Sequence, residues 1–335
     1  MATPHAEAAL AVTKPTSSAP DLCVVVPAYN EATNIEALYR EVSGVLDATT
    51  VEWQFLFVDD GSRDATAEIL ARMRAADERV HFLRLARNFG LQAALAAGLE
   101  NAPGRALVIM DADLQDDPGA LPAFLQAWRA GADVVYAVRT ARRENFVKRA
   151  LFGIFYKLMT SMSEIPVPRN AGSFALYDRR VVDAINGLPE RNRYLPGLRA
   201  WVGYKQVPVP VARRARHAGE PAQSFWRLVK LALDGLFAFS RMPLRVATLL
   251  GFVVTAGAAF ALLTVAYWRF VQKSFPEGVG LATIALSLLF LGGVQLLVIG
   301  IMGEYVGRIY EEVKQRPHFL IGTVDGERVD GGSPQ

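Results

Sequence analysis

Between residue 21 and about residue 138, short apolar runs alternate with segments whose apolar positions recur at helical spacing. The runs predict strands at residues 22–27, 54–58, 80–85, 106–110 and 134–137. The segments between them predict helices at residues 35–46, 65–74, 92–100 and 121–130. The strand runs are almost continuously apolar, as in strands covered on both faces. Such alternation predicts an α/β domain with a mainly parallel sheet. Ligands of such sheets bind at the carboxyl ends of the strands.

The far end of the chain has a different pattern. Residues 246–268 form a stretch of 23 without a charge, and residues 279–302 form another of 24. Each exceeds the ~20 apolar residues that cross a bilayer as a helix. A short polar turn, residues 269–278, joins them. Arg241 and Arg245 precede the first stretch, and Arg308, Lys314 and Arg316 follow the second, while the turn carries Arg269 and Lys273. This bias predicts a transmembrane hairpin with both ends in the cytoplasm. The expected location is the inner (plasma) membrane, multi-pass, with the α/β domain cytoplasmic.

Composition narrows the picture further. The 335 residues carry 36 Lys and Arg against 33 Asp and Glu, a net charge of +3 that does not mark a nucleic-acid binder. The single cysteine, Cys23, lies in an apolar run, so no internal disulfide forms and a buried thiol is expected. His5, His81, His217 and His318 are scattered without ligand spacing, which argues against zinc. Residues 1–20, rich in Ala, Pro, Ser and Thr, read as a disordered tail.

The polar residues then fall where the fold would need them. The first strand runs into Pro27-Ala28-Tyr29-Asn30-Glu31, the second into Asp59-Asp60-Gly61-Ser62, and the fourth into Asp111-Ala112-Asp113. Asn34 and Asp64 read as helix caps. Several carboxylates converging on one sheet edge repel each other unless a cation joins them. Asp-x-Asp on an extended segment supplies oxygen ligands for a hard divalent ion, Mg²⁺ or Mn²⁺, whose shell waters and phosphates complete. No GxxxxGK motif and no GxGxxG after the first strand are present, which weakens NTPase and nicotinamide-enzyme readings.

Four ordered motifs, VVVPAYNEATNI, FLFVDDGSRDAT, LARNFGLQAALAAGL and DADLQDDP, resemble glycosyltransferase family 2. With the paired apolar stretches, DADLQ resembles the polyprenyl-phosphate branch of that family, which includes dolichol-phosphate mannose synthases and undecaprenyl-phosphate sugar transferases. RNAGSFALYDRRVVDAI and AWVGYKQVPVPVARRARHAGE strengthen the likeness, which covers roughly residues 21–315. The resemblance implies a GT-A, Rossmann-like fold and inverting transfer of one sugar from a nucleotide sugar to a lipid phosphate. It implies that Pro27, Tyr29, Glu31, Asp59, Asp60, Ser62 and Ala112 bind the nucleotide sugar. Asp111 and Asp113 would act on the diphosphate through the metal, with Gln115 as a further ligand. Arg139 would serve catalysis, and Arg213, Arg214 and Arg216 would meet the acceptor phosphate.

The implied organisation is a catalytic domain at residues 21–224, an interfacial helix at 225–242, two transmembrane helices at 243–307 and a cytoplasmic tail at 308–335. Residues 146–162 and 225–239, aromatic and basic at helical spacing, are expected to lie in the membrane interface. UDP-glucose is the expected donor, undecaprenyl phosphate the acceptor, and a homo-oligomer the assembly. Where relatives carry acids in an Asp-x-Gly-Asp-Phe-like segment, this chain reads Asn170-Ala171-Gly172-Ser173-Phe174, with neither acid. Two alternatives stay open: a processive, polysaccharide-type transferase, and a membrane scaffold that keeps an inactive nucleotide-sugar fold.

Overall fold

The computed structural model of the protein describes residues 20–139, 171–190, 193–211, 242–271 and 280–329. The tail up to residue 19, the interfacial helices expected at 146–162 and 225–239, and Arg213, Arg214 and Arg216 lie outside the described residues. The chain forms two compact units, a sheet domain that residues beyond 315 rejoin, and a unit containing the long helices.

In chain order the sheet domain runs β1 (Leu22–Ala28), α1 (Ile35–Asp47), β2 (Trp53–Asp59), α2 (Thr66–Ala76), β3 (Val80–Leu85), α3 (Leu91–Asn101) and β4 (Ala106–Ile109). It continues with α4 (Leu121–Arg129), β5 (Val134–Arg139), β6 (Ala171–Asp178), α5 (Arg179–Asn186), α6 (Leu195–Trp201) and β7 (Gln206–Val211). Two long helices follow, α7 (Met242–Phe270) and α8 (Gly280–Val313), and then β8 (Ile321–Val324) and β9 (Glu327–Arg328). The expected strands and helices of the first 138 residues all form, with ends moved by no more than two residues.

The strands make one nine-stranded sheet in the order β7-β5-β6-β4-β1-β2-β3-β8-β9. β1 pairs in parallel with β2 and β4, β2 with β3, and β5 with β7. β6 runs antiparallel between β4 and β5. The chain leaves β1 toward β2 and β3, then crosses back to place β4 on the other side of β1. That reversal makes the carboxyl ends of β1 and β4 a topological switch point, the place where such sheets hold ligands.

Both sheet faces are covered, which is why β1 is buried throughout. Leu22, Val24, Val26 and Ala28 join the cluster that contains α1 and α4 residues, and Cys23 and Val25 the cluster under α3, α5 and α6. α1 contributes Ile35, Leu38, Val42 and Leu46 to the first cluster, each worth roughly 1.5–3 kcal/mol when fully buried. On the other face α3 lies so close to β1 that a Cβ on Gly98 would sit 2.3 Å from Val25 Cγ1. Cys23 is fully buried, and burial pushes its thiol up to about 12, which leaves it inert.

β8 and β9 stand at the other end of the sheet, where the sequence suggested only a tail. β8 pairs antiparallel with β3, and Ala86 N–H donates to Leu320 O at 2.8 Å. Asp325 (φ 50°) and Gly326 (φ 90°) form the turn between β8 and β9, and left-handed conformations at both positions give the tight turn that matches strand twist. The Asp325 carboxylate also clasps the hairpin to the domain. It accepts from Phe82 N–H at 2.8 Å and Arg74 Nε at 3.2 Å, and meets His81 Nδ1 at 2.8 Å. Burial alone would raise this carboxyl; the bonds from His81 and Phe82 and the charges of His81 and Arg74 outweigh it and hold it below its usual value.

α7 and α8 contain candidate membrane spans at Ala247–Val265 and Ser287–Tyr310, neither buried by protein. Phe252, Phe260, Leu263, Leu289 and Leu296 point outward, the reverse of a helix in a soluble core. α8 continues past residue 302 to Val313. An exposed Glu304–Arg308 pair at 3.0 Å supports that last part by a few tenths of a kcal/mol.

Candidate active site

The acidic clusters meet at the switch point because parallel pairing brings the ends of β1, β2 and β4 together. Ala28 lies opposite Asp59 in the register, and Asp60 N–H donates to Ala28 O at 2.9 Å. Asp111 follows Met110, whose N–H still bonds Val25 O at 3.1 Å.

The segment after β1 is tied to the segment after β2. Asn30, with φ 56°, donates its N–H to Ser62 Oγ at 2.9 Å, and Glu31 N–H donates to Thr66 Oγ1 at 3.0 Å. Arg63 N–H returns a bond to Asn30 Oδ1 at 2.9 Å. Pro27 is buried at the end of β1, Tyr29 is exposed and Glu31 is half-buried. Asp64 accepts from Thr66 N–H at 3.1 Å, as a capping group does. Asn34 occupies the cap position of α1 without a capping bond; its Nδ2 donates to Glu31 Oε2 at 2.7 Å.

The two neighbouring aspartates after β2 do different work. Asp59 is fully buried: Oδ1 accepts from Ser62 N–H at 2.8 Å, and Arg84 Nε lies 3.3 Å from Oδ2 without hydrogen-bond alignment. Asp60 accepts from Phe89 N–H at 2.7 Å and Gly90 N–H at 2.8 Å, one on each oxygen. It thereby fastens the β3–α3 loop behind the Asp59–Ser62 turn. Burial and the nearby Asp59 charge push the Asp60 carboxyl above its usual value against those two bonds and Arg87.

The four carboxylates of DADLQDDP also separate. Asp116 Oδ2 accepts from Asp111 N–H at 3.3 Å, and Asp117 Oδ1 from Gly119 N–H at 3.0 Å. These two shape the loop and start the helical turn that leads into α4. Asp113 Oδ1 accepts from Gln115 N–H at 3.1 Å, and Leu114 between them sits at φ 59°. Asp111 and Asp113 are half-buried, while Ala112 and Gln115 are buried. From β6, Ser173 Oγ donates to Asp111 Oδ1 at 3.1 Å. Arg139 ends β5, opposite Val211 of β7.

Among the described residues no group of three or more His, Cys, Asp or Glu forms a metal cage. Asp111 and Asp113 nevertheless fit a hard divalent cation of the Mg²⁺ kind, which takes one or two carboxylates and fills its shell with waters and substrate phosphates. Sequence reasoning missed the Ser173–Asp111 contact and the β3–α3 loop held by Asp60. The antiparallel placement of β6, which produces the first, has no local signal in the sequence.

The pattern of Glycosyl transferase family 2 matches residues 23–185. The chain is 42% identical over 311 residues to an uncharacterized glycosyltransferase of Synechocystis, covering 91% of this chain and 96% of that one. It is 40% identical over 302 residues to the bactoprenol glucosyl transferase of Shigella phage SfII, covering 90% and 97%. A solved mannosyltransferase from Pyrobaculum calidifontis, in complex with GDP-Man and Mn²⁺, is similar at 21% identity and TM-score 0.47, over 90% of this chain and 92% of that one. The described sheet is that of the expected GT-A class, and the alignments to these two relatives cover about nine tenths of the chain, more than the sheet domain alone. On that footing the chain is a glycosyltransferase and belongs to glycosyltransferase family 2.

Proposed function

We propose that the protein transfers one glucosyl residue from UDP-glucose to undecaprenyl phosphate, with inversion, at the cytoplasmic face of the membrane. The observation that carries this reading is the convergence of the segments after β1, β2 and β4 at one edge of the sheet, in a chain that matches, over nine tenths of its length, relatives that include proteins named bactoprenol glucosyl transferase.

The chemistry asks little of a base. A lipid phosphate loses its second proton near pH ~6 and is largely anionic at neutral pH. Its oxygen attacks the anomeric carbon while the bond from that carbon to the diphosphate breaks, and the diphosphate leaves with the electron pair. Asp111 and Asp113 would hold a divalent cation, which supplies neutralisation of the leaving diphosphate when bound. Arg139 and the Arg213, Arg214 and Arg216 group would bring positive charge to phosphates that otherwise repel. The turn fixed by Asp59, Asp60 and Ser62 would seat the nucleoside beside Pro27, Tyr29 and Glu31.

Purified protein in detergent, given undecaprenyl phosphate, Mg²⁺ and a panel of nucleotide sugars, should yield a lipid product heavier by a single hexose with UDP-glucose. A product with a different sugar only would overturn the donor. A ladder of longer glycans would favour the processive alternative, and no transfer with any donor the inactive scaffold.

The strand pairing also supports the hairpin topology. β3 precedes α7 and β8 follows α8, yet the two are neighbours in one sheet. A chain that leaves a folded domain, crosses a bilayer and rejoins that domain must cross an even number of times. In intact cells a Gln272→Cys variant should be modified by an impermeant thiol reagent, and a Ser333→Cys variant only after permeabilisation. Buried Cys23 gives little background. Labelling of Ser333→Cys from outside would sink this topology.

A further inference from the structure

We propose that Ser173 is a positioning residue for the metal-binding loop: its hydroxyl sets the orientation of Asp111 so that Asp111 and Asp113 share a divalent cation. This deepens the reading above and rests on it. The contact arises from the sheet itself. β4 and β6 pair antiparallel with Ile109 opposite Ala175, and two steps further along that register Asp111 comes opposite Ser173. The hydroxyl closes the gap, donating to Asp111 Oδ1 at 3.1 Å.

The position of Ser173 is not free to drift. Its neighbour Phe174 is 2% exposed and packs on Phe124 of α4 with ring centroids 4.8 Å apart. That contact anchors β6 at the point where Ser173 leaves the pairing. The loop it meets is also preset, with Asp116 on Asp111 N–H, Asp113 on Gln115 N–H and Leu114 in the left-handed region. Ser173 therefore joins a short, fixed loop to a fixed strand. A serine suits this place because a hydroxyl donates to a carboxylate and adds no charge. A carboxylate at residue 173 would face Asp111 with like charge, and an alanine would leave Asp111 Oδ1 without this donor.

Outer partners that orient metal ligands typically contribute ten- to hundredfold to metal affinity or activity. The test is Mn²⁺ titration of the full-length protein in detergent, followed by electron paramagnetic resonance, without donor or acceptor. Ser173→Ala should raise the Mn²⁺ Kd roughly tenfold or more, Ser173→Thr should restore it, and the thermal unfolding midpoints of both should stay near that of the unaltered protein. Asp111→Ala serves as the reference for a lost ligand. Unchanged Mn²⁺ affinity in Ser173→Ala, with affinity lost in Asp111→Ala, would overturn the role of Ser173 and leave the metal reading standing. A Ser173→Thr variant as weak as Ser173→Ala would overturn it too, because the hydroxyl would then not be the active feature. Unchanged affinity in Asp111→Ala would overturn the metal reading and this proposal together.

Discussion

Replacing Asp113 by Asn should reduce glucosyl transfer by about 10²–10³-fold, and chelating divalent metal with EDTA should abolish it. The proposed reaction would bring a nucleoside diphosphate sugar and a lipid phosphate, both anionic, to a loop that itself carries Asp111, Asp113, Asp116 and Asp117. Without a cation these charges repel in a half-buried site, where the effective dielectric constant is well below that of water. Asn is the informative substitution. Asp113 Oδ1 accepts from Gln115 N–H, and an Asn side-chain oxygen accepts the same bond. The loop then keeps its shape while the charge is lost, so the effect on kcat reports the electrostatic role alone. Asp117→Ala is the contrasting variant, because Asp117 accepts from Gly119 N–H at the start of a helical turn. It should cost about 1 kcal/mol of stability, as lost caps do, and little activity. Transfer in EDTA at the rate seen with Mg²⁺, or an Asp113→Asn variant with the kcat of the unaltered protein, would remove the metal from the reaction.

The contrast between those aspartates shows where sequence reading stops. Covered parallel strands leave continuous apolar runs, and the carboxyl ends of such strands gather in space, so the meeting of the acidic segments could be read from the runs at residues 22–27, 54–58 and 106–110 alone. The motif DADLQDDP advertised four carboxylates without separating those that shape a loop from those that face it. The separation depends on backbone N–H partners set by the path of the loop. β6 was invisible as a strand because its amino end, Ala171-Gly172-Ser173, carries little β propensity and its pairing with β4 spans more than sixty residues of chain. β7 was hidden by Pro208 and Pro210, which suit the edge position it occupies, among the described residues, beside β5. β8 and β9 did leave a signal, Val324-Asp325-Gly326-Glu327 between short β-rich runs. Its place beside β3, across two membrane-length helices, is a long-range fact that no local pattern carries.

Gly61→Ala should destabilise the sheet domain by roughly 2–5 kcal/mol, the sum of a left-handed penalty of about 1–2 kcal/mol and an overpacking term of about 1–3 kcal/mol. Gly61 sits at φ 67°, and a Cβ there would lie 2.6 Å from the Arg87 carbonyl carbon and 2.8 Å from Asn88 N. These are backbone atoms, which cannot rotate aside as a side chain does. They also cannot retreat as a unit, because the next two residues, Phe89 and Gly90, are held by the Asp60 carboxylate. The residue that needs space and the residue that fixes the opposing loop are thus adjacent in sequence. Relief would require breaking bonds to Asp60 or displacing Ser62, whose hydroxyl holds Asn30 N–H at the end of β1. Either way the proposed nucleoside seat is disturbed, so the KM for UDP-glucose should rise with the loss of stability. At about 2–4 °C per kcal/mol for a domain of this size, the apparent unfolding midpoint should fall by about 4–20 °C. Gly44→Ala is the control, since Gly44 lies inside α1 with nothing within 4 Å of its new Cβ, and it should stabilise by about 0.4–1 kcal/mol. A Gly61→Ala protein that melts and binds donor like the unaltered one would mean that the β2–α2 turn and the β3–α3 loop are not locked together by Asp60.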